Sequence, residues 1–187
     1  MFDRLEATKY VLEQAGKVPI IANLGGAAWN LFAAGDRLKN LYLRGSMGLT
    51  ASVGLGLAIA LINRNVIVLD GDGSLLMNLG TLCTIADQRP RNLVHIVWDN
   101  EQWGETGGQP SHTSGVTSLA GVAKAAGIEK VEEITEMEEF QQVVLQALRE
   151  DGPWFIVAKV ENRSKVIQRP SSAADINLVR FMQGVNE

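Results

Sequence analysis

Two short runs constrain this sequence more than anything else in it. Val66-Ile67-Val68-Leu69 and Leu93 to Trp98 are almost wholly apolar at successive positions, and each stops abruptly at an aspartate. A strand with one wet face alternates polar and apolar residues, so a continuous run must be covered on both faces. Parallel sheets provide that cover, because their crossover connections lay helices on either side. The rest of the chain fits such an order. Asp3 to Gln14 reads as a helix with Leu5, Val11 and Leu12 close to one face, stopped by Gly16. Val18 to Ala22 reads as a short strand ending at Asn23-Leu24-Gly25-Gly26, Ala27 to Ala33 as a helix, and Leu41 to Leu43 as a strand. Gly48 to Asn63 reads as a helix of small residues, and its mid-helix glycines cost about 1 kcal/mol each relative to Ala unless close packing compensates. Further helices are expected over Leu75 to Asp87, Leu119 to Ala126, Glu136 to Leu148 and Ala174 to Met182. Lys130 to Ile134 is a weak strand and Trp154 to Val160 a strong one. The expected architecture is a three-layer α/β fold with a mainly parallel sheet, forming a single domain over 1–187 with 170–187 as a C-terminal helical extension.

Composition removes several classes of function. The net charge is −4 and no basic block occurs, which disfavours nucleic acid and anionic membrane as partners. Cys83 is the only cysteine, so neither an internal disulfide framework nor a Cys₄ cluster is available. The N-terminus lacks the apolar core of a signal peptide, and a cytoplasmic location is the default expectation.

In open parallel sheets ligands bind beyond the carboxyl ends of the strands. The first buried run leads there into Asp70-Gly71-Asp72-Gly73-Ser74, and the second into Asp99-Asn100-Glu101-Gln102-Trp103-Gly104. Asp72 offers a carboxylate oxygen and Asn100 an amide oxygen, both hard donors suited to Mg²⁺. One carboxylate and one amide are too few to hold the ion alone, but they suit a metal shared with a diphosphate. The glycines let backbone approach phosphate closely, and a helix starting after Ser74 would aim its free N–H groups the same way. A plain acidic turn and a strand-ending asparagine are the bland alternatives.

Gly71-Asp72-Gly73, with residues 74–99 intervening before Asn100, resembles the signature of thiamine diphosphate-dependent enzymes. That signature usually closes on two asparagines; here the first is Asp99. The resemblance implies a thiamine diphosphate-binding fold, with Mg²⁺ bound by the side chains of Asp72 and Asn100 and the backbone carbonyl of Gln102. It implies cofactor contacts from Gly25, Gly45, Ser46, Met47, Gly71, Asp72, Gly73, Ser74, Asn100, Gln102, Trp103 and Gly104. Met47, 25 positions ahead of Asp72, matches the apolar wedge that holds the cofactor's two rings in a V, although a core methionine filling a gap has the same composition.

Over nearly its whole length the chain looks like the β subunit of sulfopyruvate decarboxylases, and like the C-terminal part of phosphonopyruvate decarboxylases. Gly45 to Leu49, Asp70 to Gly80, Asp99-Asn100, Thr106 to Gln109 and Ser111-His112-Thr113 carry this likeness. It implies decarboxylation of a three-carbon 2-oxoacid bearing a sulfonate or phosphonate, with release of an aldehyde and CO₂. It also implies a separately encoded pyrimidine-binding partner, the α subunit, that supplies the activating glutamate. Gln109, His112 and Thr113 are candidates to touch the diphosphate or the substrate; His112 is either a proton shuttle or an idle loop residue. His95, inside a buried run, is expected to be a satisfied structural histidine. Arg44, just before Gly45, is either a candidate for the substrate's anionic pocket or a surface group. Three other readings remain open: the thiamine-binding subunit of a 2-oxoacid oxidoreductase, a non-catalytic cofactor-binding protein, and a carboligase half.

Overall fold

In the computed structural model, residues 1–161, 169–170 and 173–187 are described. The stretches 162–168 and 171–172 of the expected single domain lie outside them. The chain alternates α1 (Arg4–Ala15), β1 (Ile20–Ala22), α2 (Gly26–Ala34), β2 (Asn40–Tyr42), α3 (Thr50–Ala60), β3 (Val66–Gly71), α4 (Asp72–Leu76), α5 (Gly80–Gln88) and β4 (Leu93–Asp99). A two-stranded hairpin follows, β5 (Gln102–Trp103) against β6 (Gln109–Pro110), with a 3₁₀ turn at His112–Ser114. Then come α6 (Leu119–Ala126), β7 (Lys130–Ile134), α7 (Met137–Arg149), β8 (Trp154–Lys159) and α8 (Ala174–Asn186).

Six strands form one sheet in the order β2-β1-β3-β4-β8-β7, and every pairing within it is parallel. Side chains alternate between two apolar layers. Ile67, Leu69, Ile96 and Trp98 pack with α1, α2 and α7, through Val11, Leu31 and Phe140. Val66, Val68, Leu93 and Val97 pack with α3, α5, α6 and α8, through Leu55, Ile85, Ala123 and Phe181. The three-layer α/β expectation therefore holds, and the continuous runs are continuous because both faces are covered. Chain direction across the sheet reverses between β1 and β3, where the first crossover goes one way to β2 and the next goes the other way to β3. That switch point opens a crevice at the strands' carboxyl ends. No helix among the described residues is long and apolar enough to cross a membrane.

Two local details depart from the sequence expectation, and a third meets it. In α1 the buried stripe is Ala7, Thr8, Val11 and Ala15, whereas Leu5 and Leu12 are only partly covered. Asp3 caps this helix, accepting from the N–H groups of Leu5 (2.8 Å) and Glu6 (3.1 Å). The helix expected over Leu75 to Asp87 is two helices, broken at Met77 to Leu79. The break carries Asn78 onto the loop before α3, where its Nδ2 donates to the Gly48 carbonyl (3.0 Å). A side chain that bonds backbone elsewhere competes with helix continuation. Finally, the mid-helix glycine cost in α3 is offset at Gly54, where any Cβ would collide with the Val68 side chain; the helix lies directly on β3 there.

Candidate cofactor site

A cavity of about 420 Å³ opens at the switch point, beyond the ends of β1, β3 and β4. Strand register explains which residues reach it. Asp70 pairs with Val97 and Gly71 with Trp98, so Asp72 and Asn100 leave neighbouring strands at the same level. Both line the cavity, together with Gly71, Gly73, Ser74, Gln102, Trp103, Gly104 and Met47. Glycine is required at position 73 because an added Cβ would lie 2.8 Å from the Trp103 ring. Glu101, between the strand end and the hairpin, holds φ +60, a conformation uncommon for a side chain of its size. Strain of this kind concentrates where backbone is aimed at a ligand. Asn100 Oδ1 accepts from the Gln102 N–H (3.3 Å), which fixes the turn.

Asp72 is a strongly perturbed group of the cavity. It is 2% exposed. Burial pushes its carboxyl up to about 6, and the charge of Asp99 adds to the effect. Hydrogen bonds from the Ser111 hydroxyl, the Gly73 N–H and the Thr113 hydroxyl pull the other way. Ser111 Oγ donates to Asp72 Oδ2 at 2.5 Å, and Thr113 Oγ1 donates to Asp99 Oδ1 at 2.6 Å. Asp99 in turn pairs with Lys159 (2.8 Å), which also reaches Glu101 (3.0 Å). Burial alone would lower the Lys159 pKa, but its bonds to Asp99 and Glu101 outweigh that and raise it. The aspartate that departs from the usual signature is thus neutralised by a lysine one strand away. Asp72 forms no ion pair among the described residues, and only the field of the Arg4 charge reaches it; a carboxylate destabilised by burial is relieved by a bound metal ion. Among the described residues no three His, Cys, Asp or Glu side chains cluster as a metal site. The oxygen-only donor set therefore fits Mg²⁺ shared with phosphate oxygens rather than a self-sufficient metal cage.

The remaining sequence candidates fall elsewhere. Gly25 is buried and precedes α2, with φ +72, next to the cavity lining. Gly45, at φ +66, and Ser46, whose hydroxyl donates to the Arg44 carbonyl, lie beside Met47 without lining the cavity. His112 is exposed on the 3₁₀ turn and is not part of the lining. Thr113 is buried behind Asp72, and Gln109 closes its own hairpin by donating to the Thr106 carbonyl (3.0 Å). His95 is structural but not satisfied: neither ring nitrogen has a hydrogen-bond partner, and Asp70 Oδ2 is 3.5 Å from Nε2. Arg44 is exposed and outside the lining.

Sequence reasoning missed several lining residues, chiefly Arg4, Asn23, Trp29, Asn30, Glu105 and Arg169. Arg4 had a legible signal. It falls in phase with Thr8, Val11 and Ala15 at helical spacing, a cation in the buried stripe. Arg169 stacks on the Trp29 ring at 4.3 Å, a contact no spacing rule announces.

Comparisons with known proteins agree with this geometry. Residues 24–158 match the thiamine pyrophosphate enzyme, C-terminal TPP binding domain. The β subunit of sulfopyruvate decarboxylase from Methanococcus maripaludis is 37% identical over 190 residues, covering 98% of each chain. The corresponding subunit from Methanocaldococcus jannaschii is 44% identical over 117 residues, 62% of each chain. Phosphonopyruvate decarboxylase from Streptomyces viridochromogenes is 43% identical over 97 residues, 52% of this chain and 24% of that protein. Among solved structures, the thiamine diphosphate-dependent 4-hydroxybenzoylformate decarboxylase of Rhodococcus jostii superposes with a TM-score of 0.74 at 20% identity, over 87% of this chain and 33% of that one. Benzoylformate decarboxylase from Polynucleobacter necessarius gives 0.70 at 19% identity, over 89% of this chain and 34% of that one. The chain spans about a third of those two structures, which share its fold. Since the matched segment carries the strand ends that converge on Asp72 and Asn100, the chain belongs to the thiamine pyrophosphate enzymes, as a C-terminal TPP binding domain.

Proposed function

We propose that this chain is the diphosphate- and Mg²⁺-binding subunit of a cytoplasmic 2-oxoacid decarboxylase that converts 3-sulfopyruvate to sulfoacetaldehyde and CO₂. The observation that carries the reading is the convergence of Asp72, Asn100 and Met47 on one cavity. In it, Asp72, Asn100 and the Gln102 carbonyl hold the metal. Gly71, Gly73 and Ser74, which line the same cavity, would receive the diphosphate. Ser111 and Thr113 position the Asp72 carboxylate through their hydroxyls. Met47 is the apolar support under the cofactor's rings; it is partly exposed on the cavity side of a loop tied down by the Gly48 N–H, which donates to Ser74 Oγ (3.0 Å). When bound, thiamine diphosphate supplies the nucleophilic thiazolium carbon and the electron sink for loss of CO₂. The full-length relative's name supports sulfopyruvate as the acid.

The partner in this reading is a pyrimidine-binding α subunit that brings the activating glutamate. The designation of the relatives as β subunits supports it. So do the exposed apolar side chains of Leu49, Val53 and Met77, which flank the Met47 loop and α4. Phosphonopyruvate is the second reading for the substrate, favoured by the match to phosphonopyruvate decarboxylase.

The test is co-expression with a candidate α subunit, followed by assay with sulfopyruvate and phosphonopyruvate. Turnover of sulfopyruvate is expected only from the complex and only with Mg²⁺ or a similar ion. Full turnover by this chain alone would sink the shared site, and reduction of an electron acceptor in place of aldehyde release would move the complex to the oxidoreductases.

A further inference from the structure

Part of the cavity lining is built by residues that the metal does not use. Helix α2 begins there at Gly26. Its N-cap, Gly25, provides no side-chain hydrogen bond to the leading N–H groups. Uncapped N–H groups and the helix dipole favour an anion at such a point. Three side chains address it. The mostly buried Arg4 lays its guanidinium against Gly26 so closely that any Cβ at position 26 would collide with it. With the Asn30 amide oriented to satisfy its neighbours, its oxygen accepts from Arg4 Nε at 3.1 Å and the guanidinium is held in place. The Nη1 and Nη2 groups, facing the cavity, have no hydrogen-bond acceptor among the described residues. Third, the Glu105 carboxylate rests on Gly25, where an added Cβ would lie 2.7 Å from Oε1.

A carboxylate thus already lies where the helix and the arginine call for an anion. Burial lowers the Arg4 pKa, while Glu105, Asp72 and Asp3 oppose the shift; a guanidinium is basic enough to stay charged at neutral pH. A desolvated cation of this kind is costly unless an anion neutralises it. Mg²⁺ already partly neutralised by Asp72 leaves most of a diphosphate's charge uncancelled. Resting on the cofactor site proposed above, we infer that Arg4 clamps the terminal phosphate of the cofactor's diphosphate, and that Glu105 is the resident anion which that phosphate displaces. Planar guanidinium groups bind phosphate through paired N–H donors, and the two open Nη groups of Arg4 provide them. Arg4 lies before the segment 24–158 that matches the family model.

The inference is tested on the full chain with its partner subunit, by quenching of tryptophan fluorescence; Trp29 and Trp103 both line the cavity. Thiamine diphosphate and thiamine monophosphate are titrated with Mg²⁺ present. Arg4→Gln is expected to weaken the diphosphate about 10- to 100-fold, the worth of a charge-assisted pair, and the monophosphate by less than about threefold. Arg4→Lys should recover part of the loss. Glu105→Gln should tighten diphosphate binding, because a competing carboxylate is removed. Unchanged diphosphate affinity in Arg4→Gln, or equal losses for the two ligands, overturns the clamp. If Arg4→Gln does not fold, Glu105→Gln decides: affinity that stays level or falls overturns the displacement. Asp72→Ala run alongside separates the two proposals. If it leaves metal-dependent binding intact, the whole site is wrong; if it abolishes binding while Arg4→Gln does not weaken it, only the clamp fails.

Discussion

The two sides of the sheet's centre are built to different rules. From α6 through β8 the chain is regular: α6 and β7 occupy the residues their patterns predict, and α7 lies within one residue of them. The buried residues of that half are all of hydrophobic type, including Phe140, Val144, Phe155 and Ile156. From β1 to the hairpin, buried polar groups accumulate instead: Asn23, Thr50, Asp70, Asp72, Ser74 and Asp99. There too a helix breaks at Met77 to Leu79, and Glu101 takes a left-handed conformation. One half stores stability; the other holds groups in states that cost stability and are useful only when a ligand arrives.

Substitutions should separate the halves. The largest effect is expected in the regular one. Ile156 is fully buried in β8. Ile156→Ala should cost about 2–5 kcal/mol of folding stability. For a domain of this size each kcal/mol lowers the melting temperature by about 2–4 °C. Affinity of the remaining folded protein for thiamine diphosphate should be unchanged. A matching loss of affinity would show that the halves are not separable.

This contrast also explains what the sequence could reveal. The buried runs Val66 to Leu69 and Leu93 to Trp98 specify central strands, since only a doubly covered strand tolerates such composition. Asp72 and Asn100 were legible because they follow those strands directly. The hairpin Gln102 to Pro110 was not, because its two-residue strands are too short to show periodicity. The supporting roles of Ser111 and Thr113 depend on a loop folding back across residues far apart in sequence. Lys159 reaches Asp99 only because β8 pairs with β4, a neighbour relation the order of elements along the chain does not dictate.

Asp72 offers the second and smaller effect, and it should run in opposite directions for binding and stability. Asp72→Ala should weaken metal-dependent cofactor binding at least about 100-fold, through loss of the only buried carboxylate proposed for the ion. Asp72→Asn should do nearly the same to binding, yet stabilise the ligand-free protein at neutral pH. Burial raises the folded-state carboxyl to about 6, from its ordinary 3.8. Below about pH 4 it is protonated in both folded and unfolded chains, and its folded form carries no charge cost. That advantage is lost as pH rises through about 6, and above it the ionised group burdens the fold. The gain from Asp72→Asn should therefore be near zero at about pH 4 and about 1–3 kcal/mol at about pH 8. Thermal melts across that range check it; a wild type that is more stable than the variant at pH 8 would mean Ser111 and Thr113 already compensate the charge.

The smallest effect is the sharpest test of how the polar half is wired. Asp99 stands where the family signature usually has asparagine, and it raises the Asp72 pKa through its charge. It is also the partner of Lys159 and accepts from Thr113. Asp99→Asn keeps shape and an oxygen acceptor for Thr113, and Lys159 retains Glu101 at 3.0 Å. Folding stability should change by about 1 kcal/mol or less, because Lys159 keeps Glu101 as its carboxylate partner and is not left as a bare charge. The Asp72 titration should move below about 6, since a neighbouring negative charge has gone. Carbon-detected NMR of the Asp72 carboxyl in ligand-free protein reads that midpoint directly. A midpoint that does not move would mean that Lys159 already screens Asp99 from Asp72, so that burial alone sets the Asp72 carboxyl. The polar half would then be two independent ion sites rather than one connected network.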